Sequence, residues 1–431
     1  MFKTKRVLPR SGRRCALAAL TIAGCLAPLG LAPAPASAGV TVDEARGSGA
    51  IVEATFNRPA VGAEDTHVTD HLRTLIESAE PGATIKIAMH SITGRGIKDA
   101  IVGEAPGNDG SGQVIVLFDR TKIDQSADPA STVTMAEELR RDLEAAGGEF
   151  VECGHNASST NDGGCLSGTE TYSRQHAKYV LISHGWKRSG SLSNPGFFWG
   201  IVWIGSANVS GNGGWETYNN AITSYGDTDL YLALEKTFDK ARPNNWPSAD
   251  FYDNPVGTGY SHGPKSNITT WASPEATTGN DLVVQRLKDI TPSGDGTCQI
   301  RVMQTAFTDR RGADVANQLV ALRNGGCWTW VLVDEANGVA TMDDEVRSVL
   351  CGKVAIRKQP NIHDKAIVIR ANYNGSFKSI VLTGSHNITP EALRNNDEIL
   401  ARVGASSGPL YNAYVNHFGS AWGNAENVTC P

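Results

Sequence analysis

Three features are missing from this 431-residue sequence, and each absence removes a class of function. It has no long run of Lys and Arg. A non-specific nucleic-acid binder depends on such a surface and on counterion release, so polyanions are disfavoured as main substrate, although a local basic cleft is still compatible. It has no Cys-x-x-Cys or His-Glu-x-x-His spacing, so nothing supports zinc, and no metal or cofactor is expected. Beyond the N-terminal leader no segment approaches the roughly 20 apolar residues needed to span a bilayer, and the processed chain is expected to be soluble.

The leader is read from its composition. Lys3, Lys5, Arg6, Arg10, Arg13 and Arg14 form a basic region, Cys15 to Leu31 is mostly apolar, and Ala36-Ser37-Ala38 offers small residues for cleavage. This pattern predicts a secretory signal over residues 1–38 and a mature chain starting near Gly39. Two rival readings are a lipoprotein box at Ile22-Ala23-Gly24-Cys25, with anchoring at Cys25, and a faint twin-arginine signal at Arg13-Arg14. The apolar run continues past Cys25, which fits the later site better. The leader holds six of the 39 basic residues and none of the 45 acidic ones, leaving 33 against 45 and a net charge of about −12.

Six cysteines then remain: Cys153, Cys165, Cys298, Cys327, Cys351 and Cys430. An even number outside the cell implies disulfides. Cys153 and Cys165 bracket a loop rich in Asn, Ser and Gly and are expected to pair with each other. For the other four, three connectivities are open, and Cys327 with Cys351 and Cys298 with Cys430 is the expected one, because Cys327 and Cys351 begin successive strands.

The second half of the chain can be laid over the first almost element by element. Thr55 to Pro59 answers Thr270 to Pro274. A helical stretch around His71 to Ala79 answers Leu282 to Ile290, and strands Ile85 to Met89 and Ile300 to Met303 follow. Amphipathic helices at Ile97 to Glu104 and Ala313 to Arg323 lead to strands Val114 to Phe118 and Val331 to Val333. Helices Met135 to Ala146 and Asp343 to Leu350 come next, and each copy ends in a helix, Asp229 to Ala241 and Pro409 to Phe418. The alternation predicts an α/β fold of two similar halves, each a mostly parallel β-sheet flanked by helices. The expected divisions are a first repeat over 44–241, a linker over 242–266 inside a Pro-, Asn- and Gly-rich stretch, and a second repeat over 267–431.

Each repeat contains a strand carrying His-x-Lys and, downstream, Gly-Ser-x-Asn. The first has His176, Lys178, Ser206 and Asn208; the second has His363, Lys365, Ser385 and Asn387. Residues i and i+2 of a strand share a face, so each copy sets an imidazole beside an ammonium. Since each half holds only one such pair, the halves are expected to pack around a single site. Two imidazoles and two ammonium groups suit a phosphodiester: one His attacks phosphorus, the other protonates the leaving oxygen and then activates water or an alcohol. The lysines, with the Ser and Asn side chains, would neutralise the non-bridging oxygens.

Two copies of these motifs inside a matched repeat resemble the phospholipase D superfamily over roughly Val52 to Phe418. The resemblance implies a pseudo-twofold, bilobed domain and a phosphohistidine intermediate. It implies the N-terminal His176 as nucleophile and His363 as general acid, the reverse order being the alternative. The family's His-x-Lys-x4-Asp places its acid where this chain has Ser183 and Arg370, so neither copy is complete. The downstream Asn-x-Glu is matched by Asn396-Asp397-Glu398, whereas the first copy has Thr217-Tyr218-Asn219. Glu398 would therefore reach across the pseudo-twofold axis to orient His176.

Smaller features complete the reading. The first copy is longer between His176 and Gly205 than the second between His363 and Gly384, and the extra residues near Ser189 to Pro195 are expected to form a loop at the mouth. Phe198 aligns with Phe377 and reads as core, while Trp199 aligns with Lys378 and is the candidate for touching a lipid surface. His386 reads as a rim residue, and Gly211 to Gly214 as a turn with no role in holding phosphate. The resulting expectation is a secreted, monomeric, metal-independent phosphodiesterase of phospholipase D type, meeting a phospholipid at a membrane surface. Its alternatives are a secreted nuclease of the same superfamily and a catalytically degraded phosphate-binding module.

Overall fold

The structure is a computed structural model, in which residues 39–60, 62–108, 112–123, 134–154, 163–166, 172–187, 196–245, 261–275, 281–405 and 408–431 are described. The expected leader and the expected loop at Ser189 to Pro195 lie outside these residues. Among the described residues no helix is long and apolar enough to cross a membrane.

The first half supplies β1 (Val40–Ala45), β2 (Ile51–Asn57), β3 (Ile85–Met89), β4 (Val114–Asp119), β5 (Glu149–Cys153), β6 (Arg174–Gln175), β7 (Tyr179–Lys187), β8 (Gly196–Gly205) and β9 (Asn219–Tyr225). The second supplies β10 (Ser261–Gly263), β11 (Ile268–Ser273), β12 (Ile290–Thr291), β13 (Gln299–Gln304), β14 (Trp328–Ala336), β15 (Val339–Ala340), β16 (Ala355–Pro360), β17 (Lys365–Tyr373), β18 (Ser376–Gly384), β19 (Asn396–Ala405) and β20 (Glu426–Asn427). One sheet runs β1-β2-β9-β8-β7-β3-β4-β5 and the other β10-β11-β19-β18-β17-β13-β14-β16-β20. The repeat read from the sequence is therefore a repeat of strand order. Strand β10 lies within the stretch expected as linker and joins the second sheet.

The sheets are mixed, which corrects the expectation that they are mostly parallel. Within each lobe the parallel strand pairs are β3-β4-β5 and β13-β14-β16, where a helix carries the chain back across the sheet. The strands bearing the motifs are antiparallel because they are hairpins. At Asn374-Gly375 both residues have positive φ, 48° and 77°, the backbone a two-residue turn of the primed type requires, and Tyr373 faces Ser376 across it.

Helices cover one face of each sheet: α1 (His67–Ile76), α2 (Arg95–Gly103) and α3 (Met135–Ala145) on the first, and α5 (Leu282–Lys288), α6 (Asp309–Asn324) and α7 (Asp344–Leu350) on the second. Between them in the chain, α4 (Thr228–Ala241) packs with the inner faces, as does the last helix, α9 (Pro409–Asn424), which follows the short α8 (Pro390–Arg394). The inner faces meet in one apolar cluster that joins Val52, Ala54 and Phe56 of β2 to Val381, Ile399 and Val403 of the second sheet. Both faces of the central strands are thus apolar, with Ile115 and Leu117 turned inward and Val114 and Val116 outward, as the two-residue strand period dictates.

Three disulfides form, and one expected pairing is among them, Cys153–Cys165. The other two are Cys298–Cys327 and Cys351–Cys430, which corrects the expected connectivity. Cys298 and Cys327 each precede a strand of the parallel pair β13-β14, and Gln299 lies opposite Trp328, so α6 returns the chain to the point it left, with the two Cα atoms 4.6 Å apart. Strand β20 pairs with β16 and carries Cys430 to Cys351.

Candidate active site

Each His-x-Lys stands where its hairpin strand begins, and each histidine is held by the opposite half. The His176 backbone N–H donates to the Asp397 carbonyl at 3.0 Å, and the His363 N–H donates to the Tyr218 carbonyl at 3.0 Å. Short cross-lobe pairings support both: β6 runs parallel to the start of β19, and Tyr218 bridges Ile362. Asp397 also accepts from the backbone N–H groups of Cys165 and Leu166, tying the disulfide loop of the first lobe to the second.

The side chains follow the same exchange. His176 Nδ1 lies 2.7 Å from Glu398 Oε1, and His363 Nδ1 lies 3.0 Å from Asn219 Oδ1. Asn219 spends its Nδ2 on Gly214 O and Thr217 Oγ1, so its oxygen is the acceptor and His363 carries its proton on Nδ1. In both imidazoles Nε2 is then the nitrogen left for chemistry. Asn219 is the positional counterpart of Glu398, one neutral and one acidic. Its acceptor role depends on where its amide NH2 is held.

Lys178 Nζ donates to His176 O at 2.5 Å, and Lys365 Nζ donates to His363 O and Thr305 Oγ1, each at 2.7 Å. Both ammonium groups are buried, and burial lowers both pKa values, that of Lys178 strongly and that of Lys365 to about 7. Burial and the two lysines likewise push His176 and His363 well below the usual imidazole range, so both rings are neutral at rest. Glu398 is raised by burial and lowered by His386, Lys178 and Lys365.

The sign of this charge arrangement sets a measurable behaviour. Lys365 titrates near 7 in the folded protein and near 10.4 when unfolded, so the unfolded state binds more protons between these values and stability rises with pH across that window. An anion entering the site reverses the shift. Inorganic phosphate bound at pH 8 is expected to draw in protons, seen as a binding enthalpy that varies with buffer ionisation enthalpy. Proton release on binding would refute it.

The remaining expected site residues divide. Ser206 and Ser385 are fully buried, and each accepts from the backbone: Ser206 Oγ from Asn220 N at 3.0 Å, and Ser385 Oγ from Ile399 N at 2.9 Å. They hold the strands that carry Asn219 and Glu398, and Ser206 Oγ also donates to Asn219 Oδ1 at 2.8 Å. Asn208, Asn387 and Asn396 each keep a buried amide oxygen without a partner, and a flipped amide would turn NH2 to that position. Asn396 Nδ2 also reaches Glu398 Oε1 at 3.4 Å.

Other readings change with the structure. His386 is buried, not at a rim; its Nε2 lies 2.8 Å from Ser273 Oγ, and burial and Arg311 push its pKa down to about 3. The glycine turn is part of the site: Gly213 has φ +84°, and a Cβ there would meet Asn208 Nδ2 at 2.9 Å and His363 Nε2 at 3.1 Å. Ser183 bonds Thr84 N and Arg370 lies over Phe377, both about five strand residues, or roughly 17 Å, from the lysines. Lys187 and Gly196, which flank the expected mouth loop, sit at the end of the hairpin away from the site. Phe198 packs on Tyr225, while Trp199 is exposed at that same far end.

Beneath His363 lies a buried polar chain that the sequence did not disclose. Asp364 accepts from Asn220 Nδ2 at 2.5 Å and lies 2.8 Å from His417 Nε2, whose Nδ1 accepts from Arg58 Nε at 3.3 Å. Asn220 and Arg58 belong to the first lobe, Asp364 and His417 to the second. The matching position below His176 is Ala177. Among the described residues no group of three or more His, Cys, Asp or Glu is arranged to hold a metal ion.

Part of the chain matches a known family, and its fold is similar to that of solved structures. The family described as "Cardiolipin synthase, PLD-like domain" matches residues 296–422. No curated protein sequence matches the chain. Among solved structures, phosphatidylserine synthase from Haemophilus influenzae Rd KW20 superposes with a TM-score of 0.53 at 11% identity, covering 84% of this chain and 85% of that one. Polyphosphate kinase from Porphyromonas gingivalis gives 0.48 at 12% identity, covering 81% of this chain, which spans 45% of that longer protein. Nuc from Salmonella typhimurium, a phospholipase D family member, gives 0.29 at 22% identity, covering 37% of this chain and 96% of Nuc. Residues 296–422 match a PLD-like domain, and the two lobes together share the fold of the phosphatidylserine synthase.

Proposed function

We propose that this protein is a secreted phosphodiesterase of phospholipase D type, acting on phospholipids through a phosphohistidine on His176. The observation that carries this reading is the crossed pair of Nδ1 contacts, His176 with Glu398 and His363 with Asn219, which leaves two Nε2 atoms in one lysine-bearing site. A carboxylate partner stabilises positive charge developing on an imidazole better than a carboxamide does, which favours His176 as nucleophile. His176 Nε2 attacks phosphorus as the bond to the leaving oxygen breaks, and that oxygen takes a proton from His363 Nε2. Water or an alcohol then loses a proton to His363 and attacks the phosphohistidine, breaking the P–N bond and freeing His176. His363 is neutral in the empty site; the charge of the bound diester offsets the lysines and raises its pKa enough to load the proton.

Lipid is favoured over nucleic acid by the excess of acidic residues and by the description of the matching family. Secretion is supported by three disulfides. The test sets the protein and His176→Ala, without added metal, against phosphatidylcholine vesicles and plasmid DNA. Head-group release lost in the variant is the expected result. Nicked DNA with intact lipid would make the protein a nuclease, and no turnover of either would leave a phosphate-binding module.

A further inference from the structure

We infer that His90 is a third imidazole of this site and hydrogen-bonds a phosphate oxygen of the substrate through Nε2. The inference rests on the phosphodiester reading above and adds a ligand that neither repeated motif contains. His90 follows directly on β3, and its ring meets the His176 ring edge-on, with centroids 4.9 Å apart and an interplanar angle of 67°. Its side chain is 10% exposed against 12% for His176. The two rings are equally accessible, so His90 is not merely a filler behind the nucleophile.

The orientation of the ring is determined from behind. His90 Nδ1 lies 3.1 Å from Asp119 Oδ2 and 3.2 Å from the Gln175 carbonyl. Both partners are acceptors, so Nδ1 carries the proton, and no group among the described residues bonds Nε2. Asp119 is itself buried and held by Thr121 N and Oγ1. A carboxylate so placed favours the imidazolium once an anion is present, and Nε2 then becomes a donor.

The second lobe shows what this position is for. The residue following β13 in the same way is Thr305, and its hydroxyl accepts from Lys365 Nζ. In both lobes the end of this strand therefore reaches the His-x-Lys row. In the second lobe it supports the lysine; in the first, Lys178 bonds backbone instead, and the equivalent residue is a ring with a free nitrogen. The extra ring stands beside the proposed nucleophile, within reach of a group bound to it.

The test compares the full chain with His90→Phe and His90→Gln, following hydrolysis of bis(4-nitrophenyl) phosphate and inhibition by inorganic phosphate. Phe keeps a ring against His176 without a donor, whereas Gln offers a carboxamide NH2 near the place of Nε2. His90→Phe is expected to weaken phosphate inhibition about 10-fold and lower kcat/KM by about 10- to 100-fold, the range for a hydrogen bond to a charged group, and His90→Gln to recover part of both. Wild-type values in His90→Phe would overturn the inference. If His90→Phe fails to fold, unchanged phosphate inhibition in folded His90→Ala, which has no donor, overturns it equally. If the unaltered protein binds phosphate without turnover, and His90→Phe loses that binding, His90 stands and the catalytic reading falls.

Discussion

Replacing His176 by Asn is expected to lower turnover by a factor on the order of 10⁴ or more, because the covalent route is lost with the nucleophile. The informative partner is His363→Asn. With a lipid diester, whose leaving alkoxide needs a proton, this variant should be as inactive as the first. With a 4-nitrophenyl diester, whose leaving group needs none, it should still form the adduct and then stall, because no base activates water. Acid hydrolyses a P–N bond, so rapid alkaline quenching and intact mass are the readout. An adduct should accumulate in His363→Asn and be absent in His176→Asn. An adduct mapped to His363 would reverse the assigned roles.

Asp364→Ala is expected to cost about 2–6 kcal/mol of stability, because it leaves two buried donors without an acceptor at roughly 1–3 kcal/mol each. Asp364 and His417 are 0% and 1% exposed, and Asn220 and Arg58 reach them from the other lobe. Loss of the carboxylate leaves the His417 ring and the Asn220 amide without their acceptor, inside the seam between the lobes. Chemical denaturation should show a lower midpoint, and Asp364→Ala combined with His417→Phe should lose less than the two single changes added together, because the orphaned groups go together. A change below about 1 kcal/mol in Asp364→Ala would mean that the chain of contacts is not a stabilising joint.

The same network bears on the incomplete motifs. The family acid that would follow each lysine is replaced by Ser183 and Arg370, far along the strand from the site. Support for the second His-x-Lys comes instead from Asp364, the residue between His363 and Lys365, working through His417 on α9. A motif comparison leaves that middle position blank. The importance of Asp364 appears only when a helix some fifty residues later folds back to meet it.

Several elements were legible because they depend on near neighbours in sequence. The apolar runs predicted the strands, the matched spacing predicted the repeat, and Asn374-Gly375 marks a hairpin that, read as such, would have forecast antiparallel motif strands. Cys153–Cys165 closes a short loop and was legible too. The pairing of Cys298 with Cys327 was not, since it needs the knowledge that β13 and β14 lie side by side. Gly213 read as an ordinary turn because nothing local shows that His363, from the other lobe, comes to rest against it.

By itself the sequence determined the chemistry available: two imidazoles and two ammonium groups in two copies of one unit, and a single downstream carboxylate, Glu398. Only the tertiary structure decided how they are shared. Each histidine is backed by the opposite lobe, Glu398 behind His176 and Asn219 behind His363, while the motif serines hold the strands that carry those partners and His90 arrives from outside both motifs. The physical reason is that a strand specifies which side chains share its face, whereas the partner of a side chain is set by which surfaces pack. Packing of the two sheets follows from their apolar inner faces, and the polar groups at the strand ends meet where that packing brings them.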